Sequence, residues 1–339
     1  MKYFFTLLIA MAIMCSVSSQ AQNSEEPLFE DFKNAFSKPY LRIGLVLQTT
    51  GNFQIERQAG ISGFELTNLR LKLSGKFDKG IGYAVQTSFT RSPSILDARI
   101  YYELDKSFII DAGLYKAPFS REFLISTPYT DFVNRAQLVA LVPNRQIGVT
   151  ARGLIPGTQL TYSAGVFNGN RYSSSGNDNN DMMYIGRLSF NPKISQNKGD
   201  KLEIAVNVAQ SNDKNVNISP INNAFEGKRF LLGGDTRLEY DKLMLSGEIV
   251  YAKLDPADAE EFEPFSYQAT IGYMTTDKMQ VLLRLDSFKM NESVDASEQV
   301  ILGLNIWPTK ISRFRVNYVI PIKSMPKHHT LLVGAQVAF

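Results

Sequence analysis

Six charged side chains fall in a stretch of the chain that follows neither the strand period nor the helix period. Residues 108–148 begin and end as alternating strands, but about two dozen residues between them show no period, an unusual length for a structureless loop. The charged residues within this aperiodic part and at its two ends are Lys116, Arg121, Glu122, Asp131, Arg135 and Arg145. If the loop folded into a narrow aqueous space, its basic excess would attract anions, because low-dielectric walls focus the field.

A purely structural role is the alternative for the arginines of this loop. Arg121 and Arg145 could pair with Glu122 or Asp131 and only hold the loop to a wall. The loop also contains large apolar side chains, which we expect to form its own packing rather than a surface along which solutes slide: Phe119, Phe123, Phe132 and Leu138.

The elements that flank the loop are predicted to be strands with one apolar face and one polar face. Residues 69–77 show this most clearly, because side chains alternate between the two faces of a strand. One face carries Leu69, Leu71, Leu73 and Phe77, and the other carries Arg70, Lys72, Ser74 and Lys76. Residues 96–104, 202–208 and 313–320 repeat the pattern.

Sixteen such runs are found along the chain, and most have 9–14 residues. Soluble strands are typically about 5–6 residues long, whereas a tilted strand that crosses a bilayer needs about 9–11. The predicted strands are 40–49, 64–78, 81–90, 95–105, 107–117, 146–155, 159–169, 182–191, 201–211, 228–241, 243–254, 265–276, 278–289, 297–307, 312–321 and 329–339.

The connections between these strands alternate between short and long, which is the arrangement of bacterial outer-membrane barrels. Residues 191–201 are an exception, since a short turn is expected there. We therefore predict an all-β fold, a transmembrane antiparallel β-barrel of about 16 strands with an inward-folded third outer loop and both chain ends on the periplasmic side. The long connections are 50–63, 118–145, 168–181, 211–227, 254–264, 290–296 and 321–328.

Aromatic residues support a membrane location. Four tyrosines lie near strand ends on the predicted outer face, where an interfacial girdle would place them. They are Tyr102, Tyr240, Tyr251 and Tyr273. The final predicted strand ends in Phe339, as the assembly signal of outer-membrane barrels does.

Three segments are predicted along the chain. Residues 1–21 match a secretory signal peptide, with Lys2 followed by a short apolar run and small residues. A lipoprotein signal at Cys15 is the alternative, but Met14 stands where that processing requires a small residue. Residues 22–39 are predicted to form an N-terminal periplasmic segment, and residues 40–339 the barrel. Removal of residues 1–21 would also remove the only cysteine.

No cofactor, metal site or nucleic-acid partner is expected. The only histidines, His328 and His329, are adjacent and would point to opposite faces of a strand. A barrel-shaped hydrolase, with Ser324 near these histidines, is one alternative function. A structural or adhesin barrel is another, since polar inner walls would serve it equally well.

Three motifs resemble the phosphate-selective porin O/P family, in the branch common in Bacteroidetes-like bacteria. They are Gly113 with residues 116–120 (KAPFS) and Glu122, then residues 144–149 (NRQIGV), then residues 162–169 (YSAGVFNG). The resemblance implies a sixteen-stranded barrel, usually a homotrimer, with a pore narrowed by its third outer loop.

The expected function is passive diffusion of small hydrophilic solutes across the outer membrane, with a weak preference for anions such as phosphate. The expected partners are outer-membrane lipid and these solutes. The predicted constriction residues are Lys116, Arg121, Arg135, Arg145, Glu122 and Asp131. The predicted pore wall is Arg70, Lys72, Lys76, Arg99, Arg152, Arg313 and Arg315. All inferred inward faces together are only slightly basic, which argues against strict phosphate selectivity.

Overall fold

A computed structural model describes residues 37–56, 62–90, 92–170, 176–218, 224–291, 296–323 and 328–339. The predicted signal peptide and residues 22–36 lie outside these ranges. Apart from a two-residue strand at Ser37–Lys38, the strands are β1 (Leu41–Gln54), β2 (Gly63–Lys76), β3 (Ile81–Ser88), β4 (Ser94–Asp105), β5 (Phe108–Lys116), β6 (Arg145–Leu154), β7 (Leu160–Phe167), β8 (Met183–Phe190), β9 (Lys201–Asn217), β10 (Ala224–Tyr240), β11 (Leu243–Pro256), β12 (Phe265–Thr276), β13 (Met279–Lys289), β14 (Ser297–Ile306), β15 (Ser312–Lys323) and β16 (Thr330–Ala338).

Consecutive strands pair antiparallel, and the last strand closes the sheet onto the first. Strand β16 pairs with residues 46–54 of β1, and Phe339 exchanges backbone hydrogen bonds with Leu45 at 3.1 and 3.0 Å. A closed sheet has no unpaired edge, as lipid requires. The predicted sixteen-stranded all-β barrel is therefore confirmed, and both described ends of the chain lie at the same end of it.

Side chains alternate across the barrel wall as the sequence predicts. In β9, Val206 is 57% exposed on the outer face, whereas its neighbour Asn207 is 2% exposed on the inner face. In β15, Phe314 is exposed and Arg315 is buried. Tyr102, Tyr240 and Tyr273 are also exposed near the ends of their strands. The wall thus has an apolar outer surface and a largely polar inner one.

Short turns lie at one end of the barrel and longer loops at the other. The exception predicted at residues 191–201 is present, and the turn there is ordered by its own side chains. The carboxylate of Asp200 accepts hydrogen bonds from the Ser195 hydroxyl at 2.6 Å and from the Asp241 backbone N–H at 2.9 Å. These bonds lower the pKa of Asp200 and attach the long turn to the next short one.

Two predicted loops are shorter in the structure than in the sequence interpretation. Strand β1 continues to Gln54, and strands β9 and β10 extend to Asn217 and from Ala224, so most of predicted loop 211–227 is strand. Val216 and Phe225 explain the extension, because both are buried in an apolar cluster inside the barrel. Residues 211–227 are mostly polar, so their sequence does not indicate that these two apolar side chains are buried.

The described helices are all short. They are α1 (Arg121–Leu124) and three 3₁₀ turns at Asp78–Gly80, Thr127–Tyr129 and Gln137–Ala140. Within the described part of the chain, no helix is both long and apolar enough to cross a membrane.

Candidate functional site

Residues 117–144, between β5 and β6, form the third connection at the end of the barrel that carries the long loops, and they lie inside the barrel. We call them the inner loop. Helix α1 is one turn long, and its N-cap residue Ser120 accepts a hydrogen bond from the Phe123 backbone N–H at 3.2 Å. Such short elements are marginal on their own, so contacts with the barrel wall must hold the inner loop in place.

Backbone groups of the inner loop bond to inward side chains of distant strands. The Glu122 N–H donates to Glu248 of β11 at 2.9 Å. The Val133 N–H donates to the side-chain oxygen of Asn317 in β15 at 2.7 Å. The Gln137 N–H donates to Asp286 of β13 at 3.1 Å. The inner loop therefore reaches the wall opposite its own strands.

Ion pairs attach the inner loop at further points. Asp131 pairs with Arg237 of β10 at 2.7 Å, and Glu122 pairs with Arg284 of β13 at 3.4 Å. Arg121 approaches Glu203 of β9 at 3.5 Å. The sequence suggested pairing within the loop itself. Instead, these loop charges pair with wall residues.

Arginines of the wall also donate to backbone carbonyl groups of the inner loop. Arg313 donates to the Thr130 carbonyl oxygen at 2.8 Å, and Arg315 donates to the carbonyl oxygens of Thr130 and Phe132 at 3.2 and 3.1 Å. A guanidinium group suits this role because it presents several donors in a fixed plane. These two arginines anchor the loop and need no carboxylate to do so.

The apolar side chains of the inner loop pack against the wall. Phe119 and Leu138 are fully buried, and with Phe123 they belong to a cluster that includes Leu231 and Val250 of the wall. Phe132 is buried in a second, smaller cluster. This packing agrees with the prediction that these residues are structural. Their contacts reach the wall as well as the loop itself.

A cavity of about 930 Å³ remains between the inner loop and the barrel end that carries the short turns. Ten of its lining side chains are basic and five are acidic. The basic ones are Arg70, Lys72, Arg99, Lys116, Arg121, Arg145, Arg237, Lys242, Lys310 and Arg313, and the acidic ones are Asp97, Asp131, Glu239, Asp241 and Asp277. This water-accessible part of the lumen is more basic than the inward faces taken together.

Several basic side chains lie close together around loop residues 123–127, beside the cavity. The Lys116 ammonium donates to the Ile125 carbonyl oxygen at 3.0 Å, and Arg135 donates to the same oxygen at 2.7 Å. Arg70 donates to the Thr127 hydroxyl at 3.0 Å. Arg145 pairs with Asp97 at 2.9 Å. We call Arg70, Lys116, Arg135 and Arg145 the cationic cluster.

Burial and neighbouring charges shift the pKa values of two residues of the inner loop. Burial lowers the pKa of Arg135, and the nearby charge of Arg145 lowers it further. Burial alone would raise the pKa of Asp131, but the charge and hydrogen bonds of Arg237 outweigh burial and lower it.

The structure separates the predicted constriction residues into two groups. Lys116, Arg121, Asp131 and Arg145 line the cavity. Glu122 and Arg135 do not line it. Glu122 is buried among the loop anchors, where it also accepts the Ala136 N–H at 3.0 Å.

The predicted wall residues also separate. Arg70, Lys72, Arg99 and Arg313 line the cavity. Lys76 does not line the cavity, and its ammonium group pairs with the carboxylate of Glu103 at 2.7 Å. Arg152 and its partner Asp111 line a second cavity of about 290 Å³. Arg315 is 1% exposed, so it anchors the loop and does not face the passage.

Sequence reasoning missed several residues at this site. Lys242 and Lys310 line the cavity from the short turns, where strand alternation does not indicate which side chains face inward. Tyr129 lines the cavity from the inner loop and is 71% exposed. Strand alternation is consistent with the inward positions of Arg237 in β10 and Arg284 in β13, but alternation alone gives no signal that these arginines bind the loop.

His329 contacts a tyrosine and a glutamate. The His329 Nδ1 atom lies 3.1 Å from the Tyr318 hydroxyl, and its backbone N–H donates to Glu56 at 3.0 Å. Ser324 lies outside the described residues. Within the ranges that the structure covers, no group of three or more His, Cys, Asp or Glu side chains could hold a metal ion.

Comparisons with known proteins complete the description of the site. Residues 51–320 match the model of the family described as phosphate-selective porin O and P. No curated protein matches the chain.

Solved structures of low sequence identity share the fold. The anion-selective porin from Comamonas acidovorans is 13% identical, with a TM-score of 0.69 over 88% of this chain and 99% of that one. The in-vitro folded trimer form of OmpT, an outer-membrane protein of Vibrio cholerae, is 12% identical, with a TM-score of 0.65 and coverage of 88% and 99%. The outer-membrane channel DcaP of Acinetobacter baumannii is 12% identical, with a TM-score of 0.62 and coverage of 89% and 99%.

Proposed function

Because the chain belongs to the phosphate-selective porin O and P family, we propose that its cationic lumen gives it a weak preference for anions. Membership of this family makes the protein a passive diffusion channel of the bacterial outer membrane. The proposal adds the sign of its selectivity and the residues that produce it.

The observation that carries the proposal is the charge of the cavity. Its lining has twice as many basic as acidic side chains. Ion pairs with Asp97 and Asp111 offset Arg145 and Arg99, respectively. In contrast, the side chain of Lys72 is exposed at the cavity, and its ammonium group has no hydrogen bond or ion pair with any residue that the structure describes. A charge that is not neutralised in this way raises the local concentration of anions.

Strict selectivity for one anion is not part of the proposal. Most guanidinium groups of the cavity are engaged by the protein, as the bonds of Arg313 to Thr130 and of Arg237 to Asp131 illustrate. Guanidinium groups that already bond to the protein add to the positive electrostatic potential of the cavity, but they do not form a binding site for one particular anion. The expected solutes are therefore small and hydrophilic, with phosphate one anion among several.

Planar-bilayer recordings test the proposal. A channel gives stepwise currents, and the reversal potential under a potassium chloride gradient reports which ion crosses more easily. We expect chloride to be favoured. The double variant Arg70→Gln and Lys72→Gln should reduce this preference at low salt and have little effect at about 1 M, where the Debye length is about 3 Å.

A matched control removes the same type of charge from the opposite face. Lys228 is exposed on the outer surface of β10, between the buried residues Gly227 and Arg229. Lys228→Gln should leave the reversal potential unchanged. A cation preference in the wild-type channel, or an unchanged reversal potential in the double variant, would contradict the proposal.

The segments and the assembly state are also proposed. Residues 1–21 act as a signal peptide, which N-terminal sequencing of the exported protein would test, and residues 22–39 precede the barrel in the periplasm. We propose that lipid surrounds a homotrimer, since the Vibrio cholerae structure is a trimer form. Cross-linking in the membrane tests this arrangement. We also propose that the chain belongs to the Bacteroidetes-type branch, which its motifs at residues 116–120, 144–149 and 162–169 resemble.

A further inference from the structure

Three glycines on the inner wall lie directly under side chains of the inner loop. Gly233 of β10 faces Phe119, Gly303 of β14 faces Phe132, and Gly334 of β16 faces Val133. A Cβ atom added to Gly303 would lie 2.9 Å from Cε1 of Phe132. The ring therefore occupies the space that any other residue at position 303 would fill.

The other two positions repeat this relationship. A Cβ atom on Gly233 would lie 3.1 Å from Cζ of Phe119, and one on Gly334 would lie 3.3 Å from Cγ2 of Val133. Phe119 and Phe132 are almost completely buried. Close packing of this kind leaves little room for an added methyl group without movement of a neighbour.

Hydrogen bonds fix the same part of the loop to the same strands. Gly303 of β14 pairs with Asn317 of β15, and the Asn317 side-chain oxygen accepts the Val133 N–H at 2.7 Å. On β15, Arg315 pairs with Gly334. Phe132 and Val133 thus pack against three adjacent strands. Gly303 lies on the first strand and Gly334 on the third, and the hydrogen bond to Asn317 is made by the strand between them.

We propose that Gly233, Gly303 and Gly334 are positioning residues that set how far the inner loop stands from the wall, and thereby the size of solute that passes. This inference rests on the proposed function, in which the cavity beside the inner loop is the passage. None of the three glycines lines the cavity, whereas loop residues 124–129 do, so the inner loop lies between these glycines and the cavity. A side chain at any of the three positions pushes the loop away from its own part of the wall, into the cavity, and narrows the passage.

Substitution of Gly303 is the central experiment. Gly303→Ala and Gly303→Val should lower the single-channel conductance, with the larger loss for valine. Rates of liposome swelling with uncharged sugars should fall most for the largest sugar. The double variant Gly303→Ala and Phe132→Leu should regain conductance, because the ring atom that meets the new methyl group is removed.

Gly234, the chain neighbour of Gly233, is the matched control for loop positioning. Gly234→Ala places a methyl group on the outer face, where the nearest atom would be Ile249 Cγ1 at 3.7 Å. Neither conductance nor sugar size cut-off should change.

Wild-type conductance and sugar cut-off in folded Gly303→Ala and Gly303→Val would overturn the inference. So would a conductance loss in Gly303→Ala that Phe132→Leu fails to relieve. Gly233→Ala and Gly334→Ala test the inference independently if the first variants do not fold. The proposed anion preference is tested separately, by the reversal potential of the wild-type channel. Failure of that proposal is therefore distinguishable from failure of the inference about the glycines.

Discussion

The carboxylate of Asp131 accepts two hydrogen bonds from the guanidinium group of Arg237, at 2.7 and 3.3 Å. Asp131 belongs to the inner loop and Arg237 to β10, so this pair links the loop to a distant strand. Arg284 and Arg121 also act on Asp131, and the pKa of its carboxyl group is lowered in spite of burial. A depressed pKa stabilises the docked loop above the ordinary value of about 3.9, and this contribution is lost as the pH falls through the depressed value.

We therefore expect the contribution of Asp131 to loop docking, measured as the difference in conductance between the wild-type channel and Asp131→Asn, to stay constant from neutral pH down to about 4, the ordinary carboxyl range. The difference should disappear in stronger acid. Asp131→Asn should disturb the loop already at neutral pH and weaken the acid response. Single-channel recordings across this range measure both effects. Asp277→Asn, which removes a carboxylate from the cavity lining without touching the inner loop, is the control. An unaltered acid response in Asp131→Asn would contradict this role.

Opposite faces of β2 should respond differently to substitution. Leu71→Arg should destabilise the barrel by about 2–4 kcal/mol if residue 71 lies near the bilayer midplane, because an arginine there faces lipid. Lys72→Gln should cost little, since Lys72 faces the aqueous cavity. Urea unfolding in lipid vesicles compares the two variants. Equal losses would show that the faces of this strand are assigned incorrectly.

Tyr129 should limit the passage of large solutes. Its ring is 71% exposed at the cavity, while Arg313 holds the neighbouring carbonyl oxygens of Pro128 and Thr130 at 3.3 and 2.8 Å. Tyr129→Ala should therefore speed liposome swelling with large sugars and leave thermal stability nearly unchanged. Tyr240→Ala, on the outer surface, is the control. If both variants swell at the wild-type rate, the ring does not obstruct the passage.

The ion pair of Asp213 and Arg229 should be a large contributor to stability. The two groups lie 2.7 Å apart, and each residue is only 2% exposed. Asp213→Asn leaves a buried cation without its partner, and we expect a loss of about 3–5 kcal/mol. The exposed pair of Lys253 and Glu261 provides the comparison, since Lys253→Gln should have little effect. Urea unfolding of both variants measures the contrast, and similar losses would contradict the expected role of burial.

The wall of the barrel could be predicted from the sequence because its determinants are local. Alternation places Leu71 and Lys72 on opposite faces regardless of distant residues, and turn residues end each strand. The membrane adds a further constraint, since backbone groups in lipid must be paired. Strand number, faces and the sorting of short and long connections all follow from these rules. The limits of β9 and β10 did not, because Val216 and Phe225 are strand residues by virtue of tertiary packing.

The position of the inner loop was decided by tertiary structure alone. Asp131 and Arg237, or Phe132 and Gly303, are far apart in the chain, and no periodic pattern links them. The sequence indicated that residues 118–145 were too apolar and basic for a free loop, and it placed Arg315 on the inner face. It could not indicate that Arg315 binds loop carbonyl groups while Lys72 faces water. That distinction depends on where a folded loop covers the wall, which is a property of packing in three dimensions.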